Sequence, residues 1–127
     1  MTLAFVFPGQ GSQSVGMLNA LAEAYPQVQE TFAEASMALG YDLWSIATAG
    51  PEDKLNQTEI TQPAMLSAGV AVWRVWQAEK GPQPVVMAGH SLGEYTALTC
   101  ASAILFADAV RLVADRGRFM QEAVPAG

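Results

Sequence analysis

The chain has 127 residues, of which 51% are hydrophobic and 14% are charged, and its formal net charge is −6. This composition is typical of a globular domain with one core, and it excludes a fibre, a repeat array and a disordered tail. The acidic balance argues against nucleic acid as a ligand, and no apolar run approaches the length needed to span a membrane. Few charges together with 11 glycines favour the α/β class, in which helices cover a parallel sheet.

Cys100 is the single cysteine, so no internal disulfide can form. No signal peptide precedes Leu3, and a reducing, cytoplasmic location is therefore predicted. Cys100 lies in a segment with a helical pattern, where it is interpreted as a small core residue and not as a second nucleophile. Neither a metal site nor a bound cofactor is predicted.

The first elements follow from apolar runs and helical spacing. Residues 3–7 form a continuous apolar run that ends at Pro8-Gly9, which predicts a buried first strand. The glycine-rich stretch 9–13 is predicted to be a loop. Helices are predicted next over residues 18–24, 26–39 and 42–47.

A long and mostly buried helix is predicted over residues 62–80, after a polar surface excursion at 50–61. Thr61 is its predicted N-cap, and Pro63 falls in its first turn. Its apolar face is predicted to comprise Met65, Leu66, Gly69, Val72, Trp73 and Trp76. Its narrow polar stripe is predicted to comprise Ser67, Arg74 and Gln77. The tryptophans are interpreted as core packing and not as a ligand box.

The most informative stretch follows the second apolar run, residues 85–88, which is predicted to be a strand. It reads Gly89-His90-Ser91-Leu92-Gly93. The pattern Gly-x-Ser-x-Gly between a strand and a helix is typical of a nucleophile elbow, a turn too tight for side chains on either side of the serine. Ser91 and Glu94 also fit a capping box, in which each side chain bonds to the other's backbone. A cap requires neither glycine, so the elbow is the favoured interpretation and Ser91 the predicted nucleophile.

An elbow serine needs a general base, and its oxyanion needs N–H donors. His90 is the only histidine, but its side chain leaves the turn in another direction, so we predict a structural or substrate-contact role for it. The base is therefore not predicted within this sequence. The Leu92 N–H is one predicted oxyanion donor, and a second is expected from the loop after the first strand. A simple strand-to-helix turn or a weak phosphate cradle are the alternatives for that loop.

A last helix is predicted over residues 106–122, and Leu105 stands where a polar N-cap is expected. Its apolar face is predicted to comprise Ala109, Leu112, Val113, Phe119 and Met120. Arg116 falls within this face, and an inward guanidinium needs an anionic partner. The spacing of the residues does not decide whether that partner is an internal carboxylate or the carboxylate of a substrate. The opposite, solvated face is predicted to comprise Arg111, Asp115, Arg118 and Glu122.

Two apolar strands separated by helices predict a parallel sheet with helices on both faces. Such a sheet requires more than two strands, so this chain is not expected to complete it alone.

Four motifs together give the chain a specific resemblance. They are Phe7-Pro8-Gly9-Gln10-Gly11-Ser12-Gln13, Thr61-Gln62-Pro63-Ala64, Gly89-His90-Ser91-Leu92-Gly93-Glu94 and Arg116-Gly117-Arg118-Phe119-Met120-Gln121. In order and separation they resemble the malonyl-CoA:acyl carrier protein transacylase family. The resemblance implies that residues 1–127 are the N-terminal part of an α/β-hydrolase-like large subdomain, without the family's small ferredoxin-like subdomain.

The resemblance also implies an activity in fatty acid biosynthesis. Ser91 would take a malonyl group from malonyl-CoA as an ester, and the phosphopantetheine thiol of acyl carrier protein would then accept it. The backbone N–H groups of Gln10 and Leu92 would hold the oxyanion, Arg116 would bind the malonyl carboxylate, and Gln62 would line the site. Leu92 after the serine is similar to the malonyl-using branch, and a start near Met1 implies a free-standing enzyme.

Length is the largest departure from that family, whose members are more than twice as long. The family's catalytic histidine would lie in a C-terminal remainder, which could be a separate fragment, and this chain alone is expected to be inactive. A serine acyl hydrolase and a polyketide synthase-type acyltransferase are the enzymatic alternatives. An assembly module that only pairs with another polypeptide is the non-enzymatic one.

Overall fold

The computed structural model describes residues 2–124 of the chain. Its elements in chain order are β1 (Ala4–Phe7), α1 (Asn19–Ala24), α2 (Pro26–Leu39), α3 (Leu43–Ala49), α4 (Glu52–Leu55), α5 (Thr58–Ala78), β2 (Val86–Gly89), α6 (Leu92–Cys100) and α7 (Phe106–Ala123). The result is a mixed fold, rich in helix, with a small parallel sheet. The predicted helix at 26–39 is confirmed at both ends, where Pro26 stands in the first turn and Gly40 closes the helix at φ 84°.

The two strands pair in parallel, as predicted for an α/β chain. Ala4 lies opposite Val86 and Phe7 lies opposite Gly89. On one face of this sheet the Phe5 ring contacts Trp73 of α5, with 5.1 Å between the ring centroids. Helix α6 packs against both strands on the same sheet. The carboxyl ends of β1 and β2 therefore meet at one edge, followed by the glycine-rich loop and by Ser91.

The predicted burial of the first strand holds for only one of its faces in the residues described. Val6 is 75% exposed, and Val86, which pairs with Ala4 on the same face of the sheet, is 54% exposed. Parallel strands bury both faces only when helices cover both, and within residues 2–124 helices cover one face. The expectation of helices on both faces is accordingly not met in this part of the chain.

Helix α5 is the centre of the core and packs against α2, α6 and α7. Trp73 is buried within that core and Trp76 packs against it, so the interpretation of these tryptophans as core residues is confirmed. The predicted faces of α5 need correction, because Ser67 is fully buried whereas Val72 is 41% exposed. Three helices surround α5, so more than one stripe of its surface is buried. Val72 instead borders a cavity beside β1, which has no second partner strand within residues 2–124.

The start of α5 also differs from the prediction. The helix begins at Thr58, and α4 precedes it, so residues 50–61 are largely helical and not turn-rich. Their predicted position at the surface is confirmed for residues 51–54, 56 and 57, which are exposed. Thr61 is no cap, since its buried hydroxyl donates to the carbonyl oxygens of Leu55 and Gln57. Pro63 consequently lies inside the helix. A proline there removes one backbone donor, and the packing of the buried helix outweighs that loss.

Helix α7 is rotated relative to its predicted apolar face. Ala109 and Val113 are buried as predicted, but Leu112, Phe119 and Met120 are exposed. Gly117 is buried instead, because α7 crosses the start of α5 there and an added Cβ would lie 2.6 Å from the Thr58 carbonyl oxygen. Periodicity could not show this contact, since a glycine contributes nothing to an apolar pattern.

Three further predictions concern the surface and the single thiol. Arg111 pairs with Asp108, and Arg118 pairs with Asp115 and Glu122, so the solvated, ion-paired face of α7 is confirmed. Leu105 gives α7 no side-chain cap, as predicted. Cys100 is a buried core residue, and burial raises the pKa of its thiol to about 12, which keeps it neutral and unreactive. Among the described helices, none is both long and apolar enough to cross a bilayer.

Candidate active site

Ser91 lies in a strained turn between β2 and α6. Its backbone adopts φ 58° and ψ −113°, a conformation that a residue with a side chain rarely takes. A Cβ added at Gly89 would lie 1.9 Å from the Gly93 carbonyl carbon, and one added at Gly93 would lie 2.1 Å from the Phe7 carbonyl oxygen. Both glycines are therefore required by space, and the tight turn predicted from Gly-x-Ser-x-Gly is confirmed.

The turn does not contain the capping box that was the alternative interpretation. Ser91 occupies the N-cap position of α6, but its side chain makes no cap hydrogen bond. Its Oγ instead accepts a hydrogen bond from Arg116 Nη2 at 3.1 Å. The hydroxyl thus faces across to α7, away from the helix that it precedes.

The loop after β1 lies directly against this turn. An added Cβ at Gly9 would be 2.7 Å from the His90 carbonyl oxygen and 3.6 Å from Ser91 Cβ. Within residues 2–124, neither the Gln10 N–H nor the Leu92 N–H donates a hydrogen bond. Leu92 opens α6, where the helix dipole favours negative charge. Two unused donors therefore flank the serine.

Arg116 is partly buried and reaches the serine from α7. Its Nη1 donates to Gln62 Oε1 at 2.8 Å, and its guanidinium lies over the Tyr95 ring at 5.3 Å. No carboxylate of residues 2–124 forms an ion pair with it. The alternative of an internal carboxylate partner is therefore wrong for the described part of the chain, and the positive charge stands beside Ser91 without an anion.

Gln62 joins the loop to the arginine. It is fully buried, and its Nε2 donates to Gln10 Oε1 and to Met120 Sδ, each at 3.4 Å. The structure thus brings together Gln10, Gln62, Ser91 and Arg116, four residues that the sequence singled out and that lie up to 106 positions apart. A buried, fully bonded amide beside a cation fixes the direction of that cation.

His90 is exposed, and its imidazole lies beside Gly9. No hydrogen bond joins the imidazole to the Ser91 hydroxyl in the part of the chain described. That His90 does not act as the base stays a prediction. The same residues hold no cluster of three or more histidine, cysteine or acidic side chains suited to a metal ion.

Sequence reasoning missed two residues of this site. Tyr95 supports the Arg116 guanidinium, and its spacing of four from Ser91 on the next helix could have indicated a shared face. Thr58 bonds the Gln10 side chain at 3.2 Å. No local pattern pointed to Thr58, because its role depends on where α5 begins.

Within residues 2–124, a serine hydroxyl, two free N–H donors and a cation without an anion are the parts that acyl transfer of an anionic group requires in addition to a general base. The family model described as acyl transferase domain matches residues 4–127. The chain belongs to the acyl transferase family. The resemblance to the malonyl-CoA:acyl carrier protein transacylases that the four motifs predicted is confirmed by its relatives within this family.

Two of these acyl transferase relatives are named malonyl CoA-acyl carrier protein transacylase. The protein of Salmonella typhimurium is 68% identical over 124 residues, and that of Escherichia coli strain K12 is 67% identical over 124 residues. Each comparison covers 98% of this chain and 40% of the relative. The chain therefore spans less than half the length of the curated relatives it matches.

Solved acyl transferase structures agree with the fold. An acyl carrier protein S-malonyltransferase from Vibrio cholerae is 61% identical with a TM-score of 0.97, covering 100% of this chain and 42% of that one. A malonyl transacylase in complex with a type II PKS acyl carrier protein is also 61% identical, with a TM-score of 0.98 and coverage of 100% and 41%. The two strands and their helices are thus arranged as in those enzymes.

Proposed function

We propose that the protein moves a malonyl group from malonyl-CoA to the phosphopantetheine thiol of an acyl carrier protein, through an ester on Ser91. The names of the relatives and the arrangement around Ser91 support this proposal. One observation carries it: Arg116 Nη2 lies 3.1 Å from Ser91 Oγ and has no carboxylate partner in residues 2–124. A cation at that distance matches an acyl group that ends in a carboxylate.

In the first half-reaction, Ser91 Oγ bonds to the thioester carbonyl carbon of malonyl-CoA and gives its proton to a general base. The oxyanion that forms lies between the N–H groups of Gln10 and Leu92. The intermediate collapses, the C–S bond breaks, and the coenzyme A thiol leaves with the proton. In the second half-reaction the carrier thiol attacks the Ser91 ester, and the Ser91 hydroxyl is restored.

Arg116 gives this chemistry its selectivity. A guanidinium binds a carboxylate through two parallel hydrogen bonds, which is stronger and more directional than a contact with a neutral group. Gln62 and the Tyr95 ring hold the guanidinium from two sides. When malonyl-CoA binds, its free carboxylate replaces the Ser91 hydroxyl as the partner of Arg116 Nη2, and the hydroxyl becomes available for attack.

The finer description of the fold belongs to the same proposal. Residues 1–127 are part of an α/β-hydrolase-like large subdomain whose sheet continues beyond β1 and β2. Further helices cover the sheet face on which Val6 and Val86 are exposed. A longer polypeptide, like those of the relatives, supplies these helices, the base and a small ferredoxin-like subdomain. His90 contacts substrate or supports the turn, and the enzyme works in the cytoplasm.

Malonylation of Ser91 tests the proposal directly. The full-length protein, mixed with radiolabelled malonyl-CoA and quenched in acid, should carry label on the peptide that contains Ser91. Addition of acyl carrier protein with its phosphopantetheine arm should move that label to the carrier. Label on another residue, or label that reaches water and never the carrier, would contradict malonyl transfer through Ser91.

Substitution of Arg116 separates malonyl transfer from hydrolysis of neutral esters. Arg116→Ala should lower kcat/KM for malonyl-CoA by about 100-fold, because a charge-assisted pair with the substrate is lost. Transfer from acetyl-CoA, which has no free carboxylate, should be unchanged or improved. Steady-state rates with both thioesters measure the ratio.

Arg111→Ala is the matched control for this experiment. Arg111 is a cation on the same helix, but it is exposed and pairs with Asp108. Arg111→Ala should therefore change the rates of malonyl transfer and acetyl transfer only slightly, and to the same extent. An Arg116→Ala variant that loses acetyl and malonyl transfer to the same extent would favour a serine acyl hydrolase, in which the arginine serves structure alone.

A further inference from the structure

Two side-chain hydrogen bonds tie the glycine-rich loop after β1 to the corner between α4 and α5. Gln10 Nε2 donates to Thr58 Oγ1 at 3.2 Å, and Gln13 Nε2 donates to Asn56 Oδ1 at 2.8 Å. Gln13 Oε1 in turn accepts the Gly11 N–H at 2.8 Å. Both glutamines belong to one sequence motif, yet their side chains have no part in the proposed chemistry.

The loop needs such support because its own backbone is unusually free. Gly9 and Gly11 flank Gln10, Gly11 has φ 109°, and no atom lies within 4 Å of the place where its Cβ would be. Glycine has the widest conformational freedom of any residue. A donor that must meet an oxyanion has to be held within a fraction of an ångström, so the freedom of this loop has to be removed by other contacts.

The corner is a firm anchor for those contacts. The N-cap of α5 is Gln57, and no side chain caps that helix end. The Thr58 hydroxyl accepts a hydrogen bond from Gln10 and does not cap α5. Gly117 of α7 lies so close to Thr58 that a Cβ there would be 2.6 Å from the Thr58 carbonyl oxygen. The Thr58 backbone, at the start of α5, is thus packed directly against α7.

We propose that Asn56 and Thr58 are positioning residues, which hold the Gln10 N–H in place for the oxyanion by clamping the side chains of Gln13 and Gln10. This inference rests on the proposed acyl transfer through Ser91. Gln10 is held at both ends, because its Oε1 accepts from Gln62 while its Nε2 donates to Thr58.

The clamp belongs to a continuous line of hydrogen bonds that crosses the site. From Thr58 it runs through Gln10 and Gln62 to Arg116, and ends at the Ser91 hydroxyl. The first half of the line positions the oxyanion donor, and the second half positions the cation for the acyl carboxylate. Loss of the clamp should therefore affect the chemical step more than substrate binding.

Two variants remove one hydrogen bond each, Thr58→Val by loss of the hydroxyl and Asn56→Ala by loss of the amide. In the full-length protein each should lower kcat for malonyl transfer by about 10-fold, with KM for malonyl-CoA changed by no more than about twofold. Thr58→Ser and Asn56→Asp keep an acceptor oxygen and should retain most of the rate. Thr48→Val is the matched control, since the Thr48 hydroxyl bonds only carbonyls of its own helix.

Hydrogen–deuterium exchange at the Gly11 amide gives a second readout that does not depend on malonyl transfer. In Asn56→Ala the Gln13 side chain is released, and the Gly11 amide should exchange about 10-fold faster than in the unsubstituted protein. In Thr58→Val, faster exchange is expected across residues 9–13. In Thr58→Ser, the exchange rate of these residues should be that of the unsubstituted protein. Unfolding midpoints should stay at that of the unsubstituted protein in all variants.

The two readouts separate the failure of this inference from the failure of the proposed function. Unchanged exchange and unchanged kcat in both variants would overturn the clamp, as would a loss that Thr58→Ser or Asn56→Asp does not rescue. Faster exchange in the two variants, combined with an unsubstituted protein that transfers no malonyl group, would retain the clamp and remove the proposed function. A loss confined to KM would also contradict a positioning role for the oxyanion donor.

Discussion

Ser91→Ala is expected to abolish malonyl transfer, with a fall in kcat of about 10⁴-fold or more, because the hydroxyl that forms the ester is removed. Cys100 cannot replace it, since burial raises the pKa of that thiol to about 12. The fold should persist, because alanine takes the same backbone space as serine. Transfer of radiolabelled malonyl groups to acyl carrier protein measures the rate, and label retained on the variant protein would rule out Ser91 as the nucleophile.

Ser91→Gly is the matched variant that separates chemistry from strain. It removes the same hydroxyl, but glycine adopts φ 58° without steric cost. The glycine variant should therefore be more stable than the alanine variant by about 1 to 3 kcal/mol, the usual cost of a sparsely populated backbone conformation. Urea unfolding of the two inactive variants measures this difference. Equal midpoints would mean that the turn stores no strain.

Gly93→Ala is expected to destabilise the protein by more than about 3 kcal/mol, the upper end of the range for overpacking, because the neighbouring atoms are backbone and cannot move aside. The new Cβ would lie 2.1 Å from the Phe7 carbonyl oxygen and 3.1 Å from that of Pro8. Relief of this overlap requires α6 to move away from β1. Such a movement would also displace Ser91 from Gln10, so activity should fall with stability.

Glu94→Ala is the control for Gly93→Ala, one position further along α6. The Glu94 side chain is exposed and makes no hydrogen bond within the described residues. Its replacement should change the unfolding free energy by less than about 0.5 kcal/mol, the usual size of a surface effect. A capping box would instead lose the hydrogen bond of the Glu94 side chain, which contributes about 0.5 to 1.5 kcal/mol. Urea unfolding of both variants therefore distinguishes the elbow from a cap.

The elbow shows how much a short pattern can predict. The need for glycine at positions 89 and 93 can be predicted from the sequence, because it is a local requirement: a tight turn excludes side chains wherever it occurs. The helix at 26–39 was predictable for the same reason, since Pro26 and Gly40 mark its ends. Arg116 was likewise recognised from its inward position on α7, although three apolar residues of its predicted face are exposed.

Other features depended on contacts between distant segments. Helix α5 begins at Thr58, and the Thr61 hydroxyl bonds the carbonyl oxygens of Leu55 and Gln57. The sequence showed only that Thr61 resembles a cap. The rotation of α7 follows from the approach of Gly117 to Thr58. Glycine contributes no apolar surface, so periodicity carried no signal for it.

The partner of Arg116 separates most clearly what the local sequence predicts from what the packing of distant segments adds. Residue type and spacing were sufficient to predict a serine in a tight turn and an inward cation, because these depend on neighbours within a few positions. Whether that cation met an internal carboxylate or stood free beside the serine depended on how α5, α6 and α7 pack together. That packing places Gln62, Tyr95 and Ser91 around one guanidinium, and it leaves the Val6 face of the sheet exposed in the described residues. Neither result could be predicted from the sequence, because burial and pairing depend on contacts between segments far apart in the chain.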